Sequence, residues 1–222
     1  MNQEQSHSNG TKPWIKVCGM MAADNVAEIA ALGVSRIGFI FHPSSPRYVG
    51  GMPSIPKKKS GSAKRIGVFV NASIERVLEV AAAWSLDGVQ LHGEESPSYC
   101  ESLRAGFKGE IIKAIAVSGE SVEPLVAPYE SFVDYILFDT ACSTRGGSGK
   151  IFSWELLKNY RLRTPFIVAG GLDGDAVLRL QPFFAIDQLA GIDLNSRVEQ
   201  SIGRKDVTRV AAVVKLVAQS GL

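Results

Sequence analysis

The sequence predicts an eight-stranded parallel α/β barrel, and three observations predict it. Short apolar runs alternate with amphipathic stretches along almost the whole chain, which implies a parallel sheet covered by helices. Eight such repeats of roughly 25–30 residues fit the 222 residues at about the usual length of a closed barrel. Finally, reactive side chains stand at predicted strand ends: Cys18 in Lys16-Val17-Cys18-Gly19 and Asp139 in Leu137-Phe138-Asp139-Thr140. A parallel barrel gathers such ends on one face. An open doubly wound sheet is the competing fold, and the lack of a GxGxxG after the first strand weakens it.

The elements follow in order. Residues 1–13 are polar, have no apolar signal-peptide core, and read as a disordered extension before one barrel domain spanning 14–222. Ile15–Cys18 is the first strand. Ala22–Leu32 carries apolar residues at helical spacing, and Gly33 suits its C-cap. Arg36–Phe41 is the second strand. Between Val49 and Arg65 the chain reads GGMPSIPKKKSGSA, with prolines, glycines and no apolar stripe, so the second helix is expected to be shortened or missing. Ile66–Val70 is the third strand and Ile74–Trp84 a helix. Gly88–Leu91 is the fourth strand, and Ser96-Pro97 opens a helix with an N-cap and a first-turn proline. Ile111–Val117 is the fifth strand, followed by a helix to about Val126. Tyr135–Phe138 is the sixth strand, with a helix over Trp154–Tyr160. Phe166–Ala169 is the seventh, with a short helix over Ala176–Leu180. Ile186–Ile192 is the eighth, and Lys205–Ala218 closes the chain as a helix.

Composition excludes several classes. Lys and Arg total 24 against 22 Asp and Glu, a net charge of +2 that gives no reason to expect nucleic acid as partner. No run approaches the roughly 18 apolar residues of a membrane span. The three cysteines, Cys18, Cys100 and Cys142, are odd in number and widely spaced, without a metal-ligand pattern. The cysteine pattern suits a reducing cytosol.

Strand parity sharpens the site. If Cys18 faces inward, so does Lys16, while Ile15 and Val17 pack against helices. The same parity turns Asp139 and Leu137 inward, and His92 with Gln90. A buried ammonium needs a counter-charge, and Asp193, at the end of the strand that closes beside the first, is expected to face Lys16. Alternative roles exist for each residue taken singly. Cys18 can be a small buried hydrophobe, Asp139 a turn cap with Thr140, His92 a satisfied core histidine, and Arg47, in SSPRY, a solvated charge. On the barrel's catalytic face, Arg47 would instead clamp a carboxylate with its fork. Gly146-Gly147-Ser148-Gly149, Gly170-Gly171 and the Asn195-Ser196 turn fall where backbone N–H groups can cradle a phosphate. Cys100 reads as structural.

Together the blocks KVCGM, GFIFHPSSPRYV, IGVFVN, DGVQLHGEE, LFDT, GGSGKIFSW, IVAGGL and GIDLNS resemble phosphoribosylanthranilate isomerase, in the family's order from Lys16 to Ser196. The resemblance implies a barrel enzyme of tryptophan biosynthesis that needs no cofactor. It would convert N-(5-phosphoribosyl)anthranilate to 1-(2-carboxyphenylamino)-1-deoxyribulose 5-phosphate by an Amadori rearrangement. By motif position Cys18 matches the general base, Asp139 the general acid and Arg47 the holder of the anthranilate carboxylate. His92, Gly147, Gly170, Gly171, Asp193, Asn195 and Ser196 join the substrate site. The implied partner is a small phosphorylated substrate, with the chain a cytoplasmic monomer or homodimer. The acid would need a raised pKa and the thiol a lowered one, with Lys16 a candidate source of positive potential. Two positions depart from the family's pattern: Arg197 stands where SSG has its glycine, and Ser153 where an aspartate is common after GGSGK. Indole-glycerol-phosphate synthase would call for a catalytic lysine and paired glutamates at strand ends. A histidine-pathway isomerase would use two aspartates, whereas strand one here ends in Cys18. A phosphate-ligand sensor on the same fold would need neither Cys18 nor Asp139.

Overall fold

A computed structural model describes residues 12–52, 63–117, 121–139 and 154–220. Eight parallel strands close into a barrel in chain order: β1 (Trp14–Val17), β2 (Arg36–Ile40), β3 (Lys64–Phe69), β4 (Gly88–Leu91), β5 (Glu110–Ala116), β6 (Tyr135–Asp139), β7 (Phe166–Ala169) and β8 (Leu189–Leu194). β8 pairs with β1, in a register that sets Asp193 opposite Lys16.

The period-2 alternation works as the sequence implied. Ile15, Val17, Ile37, Phe39, Val89, Leu91, Ile136 and Phe138 belong to the cluster between strands and helices. Ile66, Ile112, Ala114, Leu137, Ile167 and Ala169 fill the barrel's interior, with Trp14 and Tyr135 packed beneath them. At the N-terminal end of the strands Arg36 forks onto Glu110 with two bonds of 2.9 Å and stacks 3.6 Å over the Trp14 ring. Lys64 joins Glu110 at 2.5 Å. The charged groups of this end therefore pair with one another, away from the face on which Cys18 and Asp139 stand.

The outer layer contains α1 (Ala23–Ala31), α2 (Ile74–Ala83), α3 (Pro97–Gly106), α4 (Glu123–Val126), α5 (Gly174–Leu180) and α6 (Val207–Gln219). Their termini follow capping chemistry. The Ser73, Ser96 and Asp173 side chains accept N–H bonds from Arg76, Tyr99 and Ala176. Gly33, at φ +81, terminates α1 in the left-handed conformation expected of it.

Three expectations needed adjustment. Trp154–Asn159 is a 3₁₀ helix rather than an α-helix. The eighth strand starts at Leu189, because the residues from Ile186 on are taken up in a turn closed by the Leu189 N–H on the Ile186 carbonyl, and it runs on to Leu194. The last helix starts at Val207, not Lys205. Arg204–Lys205 pairs instead with Glu199–Ser201 in a two-stranded antiparallel ribbon, β9 (Glu199–Ser201) and β10 (Arg204–Lys205), whose turn needs Gly203 at φ +77. Asp206 then caps α6 by accepting from Thr208 and Arg209. In the connection from β2 to β3, the described residues 41–52 and 63 form turns and no helix. Residues 53–62 of that connection and residues 1–11 of the expected extension lie outside the described residues.

Candidate active site

The C-terminal strand ends surround a cavity of about 280 Å³. Of the residues read from the sequence, Cys18, Arg47, His92, Asp139, Gly170, Gly171, Asp193, Asn195 and Ser196 all line it. Gly147, with the rest of the Gly146–Gly149 stretch, Cys142 and Ser153, lies outside the described residues. β1 and β6 are separated by β7 and β8 around one side of the barrel, so Cys18 and Asp139 reach the cavity from well-separated strands. Cys100, by contrast, is buried in α3, where burial pushes its thiol up to about 11.

Cys18 follows the last residue of β1, and its N–H is held by the Leu194 carbonyl at 2.8 Å. Gly38 on the neighbouring strand makes room for it. A Cβ there would lie 2.8 Å from the Cys18 sulfur and 3.2 Å from Lys16 Nζ, so a glycine is required for this close approach. Beneath the thiol, Lys16 is fully buried and bonds Asp193 Oδ2 at 2.8 Å. Burial works against the Lys16 ammonium, but Asp193 and Cys18 together hold its pKa above the usual value. Burial pushes the Asp193 carboxyl up, against the pull of Lys16. Burial also pushes the Cys18 thiol up, while Lys16 and Lys205 pull it down without overcoming burial. This corrects the expectation of a thiol lowered by its surroundings. Desolvation, with the Asp193 carboxylate beside it, outweighs the two nearby cations.

Asp139 ends β6, and its Oδ2 lies 3.4 Å from His92 Nε2. The other ring nitrogen of His92 is 2.7 Å from Gln90 Nε2. If the Gln90 amide donates there, Nδ1 accepts and the proton of a neutral ring sits on Nε2, facing the carboxyl. The loop that carries His92 is tied down from below. Lys113, on β5, reaches Glu95 at 3.0 Å and the Gly93 carbonyl at 2.7 Å. Glu95 in turn accepts from the backbone N–H groups of Gly93 and Asn71. This buried ion pair satisfies loop polar groups that would otherwise be orphaned.

On the opposite rim, Gly170 and Gly171 follow β7 at φ +95 and +64. Asn195 follows β8, and Ser196–Val198 makes one 3₁₀ turn. These two loops bring backbone to the cavity rim, with Gly170 and Gly171 in the left-handed region that favours glycine. Arg197 also lines the cavity.

Arg47 is placed by a turn in which its own N–H bonds the Ser45 hydroxyl at 3.1 Å. Its guanidinium forks onto Glu199, Nε to Oε1 at 2.8 Å and Nη2 to Oε2 at 2.6 Å. Lys205 bonds the same carboxylate at 2.8 Å. Glu199 and Lys205 were missed from the sequence. They follow the eighth strand in a ribbon with no apolar periodicity, and only the turn glycine, Gly203, marks it.

Among the described residues no cluster of three or more His, Cys, Asp or Glu could hold a metal ion, and no helix is long and apolar enough to cross a membrane. Residues 15–216 match the family model described as N-(5'phosphoribosyl)anthranilate (PRA) isomerase. The N-(5'-phosphoribosyl)anthranilate isomerase of Phocaeicola vulgatus is 44% identical over 207 residues, which are 92% of this chain and 98% of that protein. That of Parabacteroides distasonis is 40% identical, over 91% of this chain and 92% of its own. Among solved structures, phosphoribosyl anthranilate isomerase from Thermotoga maritima superposes with a TM-score of 0.78 at 31% identity, covering 93% of this chain and 98% of its own. A phosphoribosyl anthranilate isomerase in complex with reduced 1-(o-carboxyphenylamino)-1-deoxyribulose 5-phosphate matches with a TM-score of 0.75 at 30% identity, covering 93% and 98%.

Proposed function

The chain belongs to the N-(5'-phosphoribosyl)anthranilate isomerase family, and we propose that Cys18 and Asp139 are the base and acid of its reaction. The reaction is the isomerisation of N-(5-phosphoribosyl)anthranilate to 1-(2-carboxyphenylamino)-1-deoxyribulose 5-phosphate in tryptophan biosynthesis. One observation carries the assignment of roles. A thiol and a carboxyl from separate strands line one cavity, with an arginine and two glycine- or asparagine-bearing loops around them.

Asp139, protonated, gives its proton to the ribose ring oxygen as the bond from that oxygen to the anomeric carbon breaks. The nitrogen lone pair forms the iminium, and the sugar chain opens. The iminium cation acidifies the hydrogen on the second sugar carbon. It also brings a positive charge close to Cys18, which favours loss of the thiol's proton to solvent against the opposing effect of burial. The thiolate removes that hydrogen, and the electron pair left behind neutralises the iminium as an enolamine, which tautomerises to the ketone. His92 keeps a polar group against Asp139 throughout. Arg47 holds the aryl carboxylate, Gly170, Gly171, Asn195 and Ser196 hold the phosphate, and Asp193 lines the cavity on the ribose side. Gly147, which follows β6 in sequence, would join them. We place the reaction in the cytosol, on a small phosphorylated substrate, by a monomer or homodimer.

The test follows substrate fluorescence with freshly made phosphoribosylanthranilate. Cys18→Ala and Asp139→Asn are each expected to lower kcat by about 10³-fold or more, while a reduced product analogue still binds within about threefold. Cys142→Ala serves as the control thiol. A Cys18→Ala enzyme that keeps a tenth or more of its kcat removes the proposed base.

A further inference from the structure

Arg47 is a long, flexible side chain with considerable rotamer freedom to lose on binding. A guanidinium recognises a carboxylate well only when its plane is fixed beforehand. In this protein the fixing group is not on the strand or loop that carries Arg47. It comes from β9, where Glu199 occupies the Nε–Nη2 edge with two bonds.

Glu199 is itself pinned. Its Oε1 accepts from Lys205 Nζ at 2.8 Å and from the Gly203 N–H at 3.1 Å. The Lys205 ammonium is fully buried and also bonds the Asn195 carbonyl at 3.1 Å and Asn195 Oδ1 at 2.8 Å. All three ammonium protons therefore have acceptors. Burial acts against the Glu199 carboxylate, but Arg47 and Lys205 hold its pKa at about 2, so it is charged throughout the physiological range. Gly19 closes over this cluster. A Cβ there would lie 2.5 Å from Arg47 Cδ and 2.7 Å from Asn195 Oδ1.

The charge balance matters. Arg47 and Lys205 are two cations and Glu199 one anion, so the trio keeps one net positive charge beside the cavity. Arginine has five N–H donors, and the Glu199 fork uses two of them. The substrate's aryl carboxylate does not need to displace Glu199. It can neutralise the remaining charge from the guanidinium's other edge.

We propose that Glu199 is a positioning residue that orients Arg47 for the aryl carboxylate and thereby sets the enzyme's preference for a carboxylated aryl amine. The ribbon is the device that does this. Through Lys205 and Asn195 it also ties the arginine to the loop after β8. This proposal rests on the reading that Arg47 receives the carboxylate, and the experiment separates the two.

The experiment is a double-mutant cycle in steady-state kinetics on two substrates: phosphoribosylanthranilate, and the phosphoribosyl derivative of aniline, which lacks the carboxylate. Arg47→Ala alone tests the underlying reading. It should raise KM for the carboxylated substrate and leave the aniline derivative nearly unchanged. Glu199→Ala should raise KM for the carboxylated substrate about tenfold, with kcat within about threefold and little change for the aniline derivative. Glu199→Gln, which keeps the shape and one acceptor oxygen, should recover most of that loss. It also serves where Glu199→Ala fails to fold. Added to Arg47→Ala, either Glu199 substitution should change KM by less than about twofold, because nothing remains to be oriented. A Glu199 effect that is equal on both substrates, or that survives in full in the Arg47→Ala background, overturns the positioning role. If Arg47→Ala does not distinguish the two substrates, the carboxylate assignment falls. The preference proposed for Glu199 falls with it, while non-additivity in the cycle still shows whether Glu199 acts through Arg47.

Discussion

Replacing Lys16 with methionine removes the ammonium but fills nearly the same volume. Lys16 is completely buried, 2.8 Å from Asp193 Oδ2, and the other Asp193 oxygen, Oδ1, is buried without a hydrogen-bond partner. At that distance, with an effective dielectric of about 20, the attraction is about 6 kcal/mol. Much of it repays the cost of burying two charges. The methionine leaves that cost on Asp193 alone, so the expected loss is about 3–5 kcal/mol. The pH dependence identifies the cause. Burial already pushes the Asp193 carboxyl up, and Lys16 is what opposes it. Without Lys16 the folded pKa rises further above the unfolded one. A carboxyl of that kind binds its proton more tightly when folded, so its contribution is present at low pH and lost as pH rises through the folded value. The Lys16→Met deficit should therefore be largest near pH 8 and shrink toward pH 5. Urea unfolding followed by circular dichroism measures both quantities, and Asp193→Asn added to Lys16→Met should recover most of the stability. The same substitution removes one of the two cations that pull the Cys18 thiol down, so alkylation of Cys18 should slow. A deficit below about 1 kcal/mol, or one that is flat across this pH range, would refute a buried ion pair as the support beneath the thiol.

Two further predictions concern different parts of the barrel. Glu110→Ala strips Arg36 of its fork and Lys64 of its partner at the N-terminal end of the strands. Thermal or urea unfolding should show a loss of about 2–3 kcal/mol, while kcat/KM stays at the wild-type value, and a fall in kcat/KM would contradict the separation of the two ends. Because burial holds the Cys18 thiol above the usual cysteine range, iodoacetamide should label it faster as pH rises from about 7 to 10 without a plateau near neutrality. Labelling that is already maximal at about pH 7 would mean that the sulfur is a resting thiolate.

The barrel was legible because its determinants are local. Alternation along Ile15–Val17 and Ile136–Phe138 states which face of each strand is buried. Gly33, Ser73 and Ser96 mark helix ends through chemistry confined to a few residues. The strand-end positions of Cys18 and Asp139 followed from the same reasoning, as did the meeting of Lys16 and Asp193 once the first and last strands were taken to close. Boundaries were less legible where backbone geometry depends on what lies above the strand. Helical composition over Trp154–Asn159 gave way to a 3₁₀ turn, and the residues before Val207 were drawn into a ribbon.

By itself, then, the sequence determined the period of each element, the closure of the sheet and the face on which reactive side chains gather, since each depends on steric and hydrophobic rules acting over one or two turns of chain. The tertiary structure alone decided the electrostatics. No spacing announces that Glu199 meets Arg47 across 152 positions of sequence, or that Lys205 joins them. Nor does any motif show that burial outweighs two cations at Cys18. Coulomb energies and desolvation depend on distance and exclusion of water in three dimensions, and those exist only after the barrel has closed.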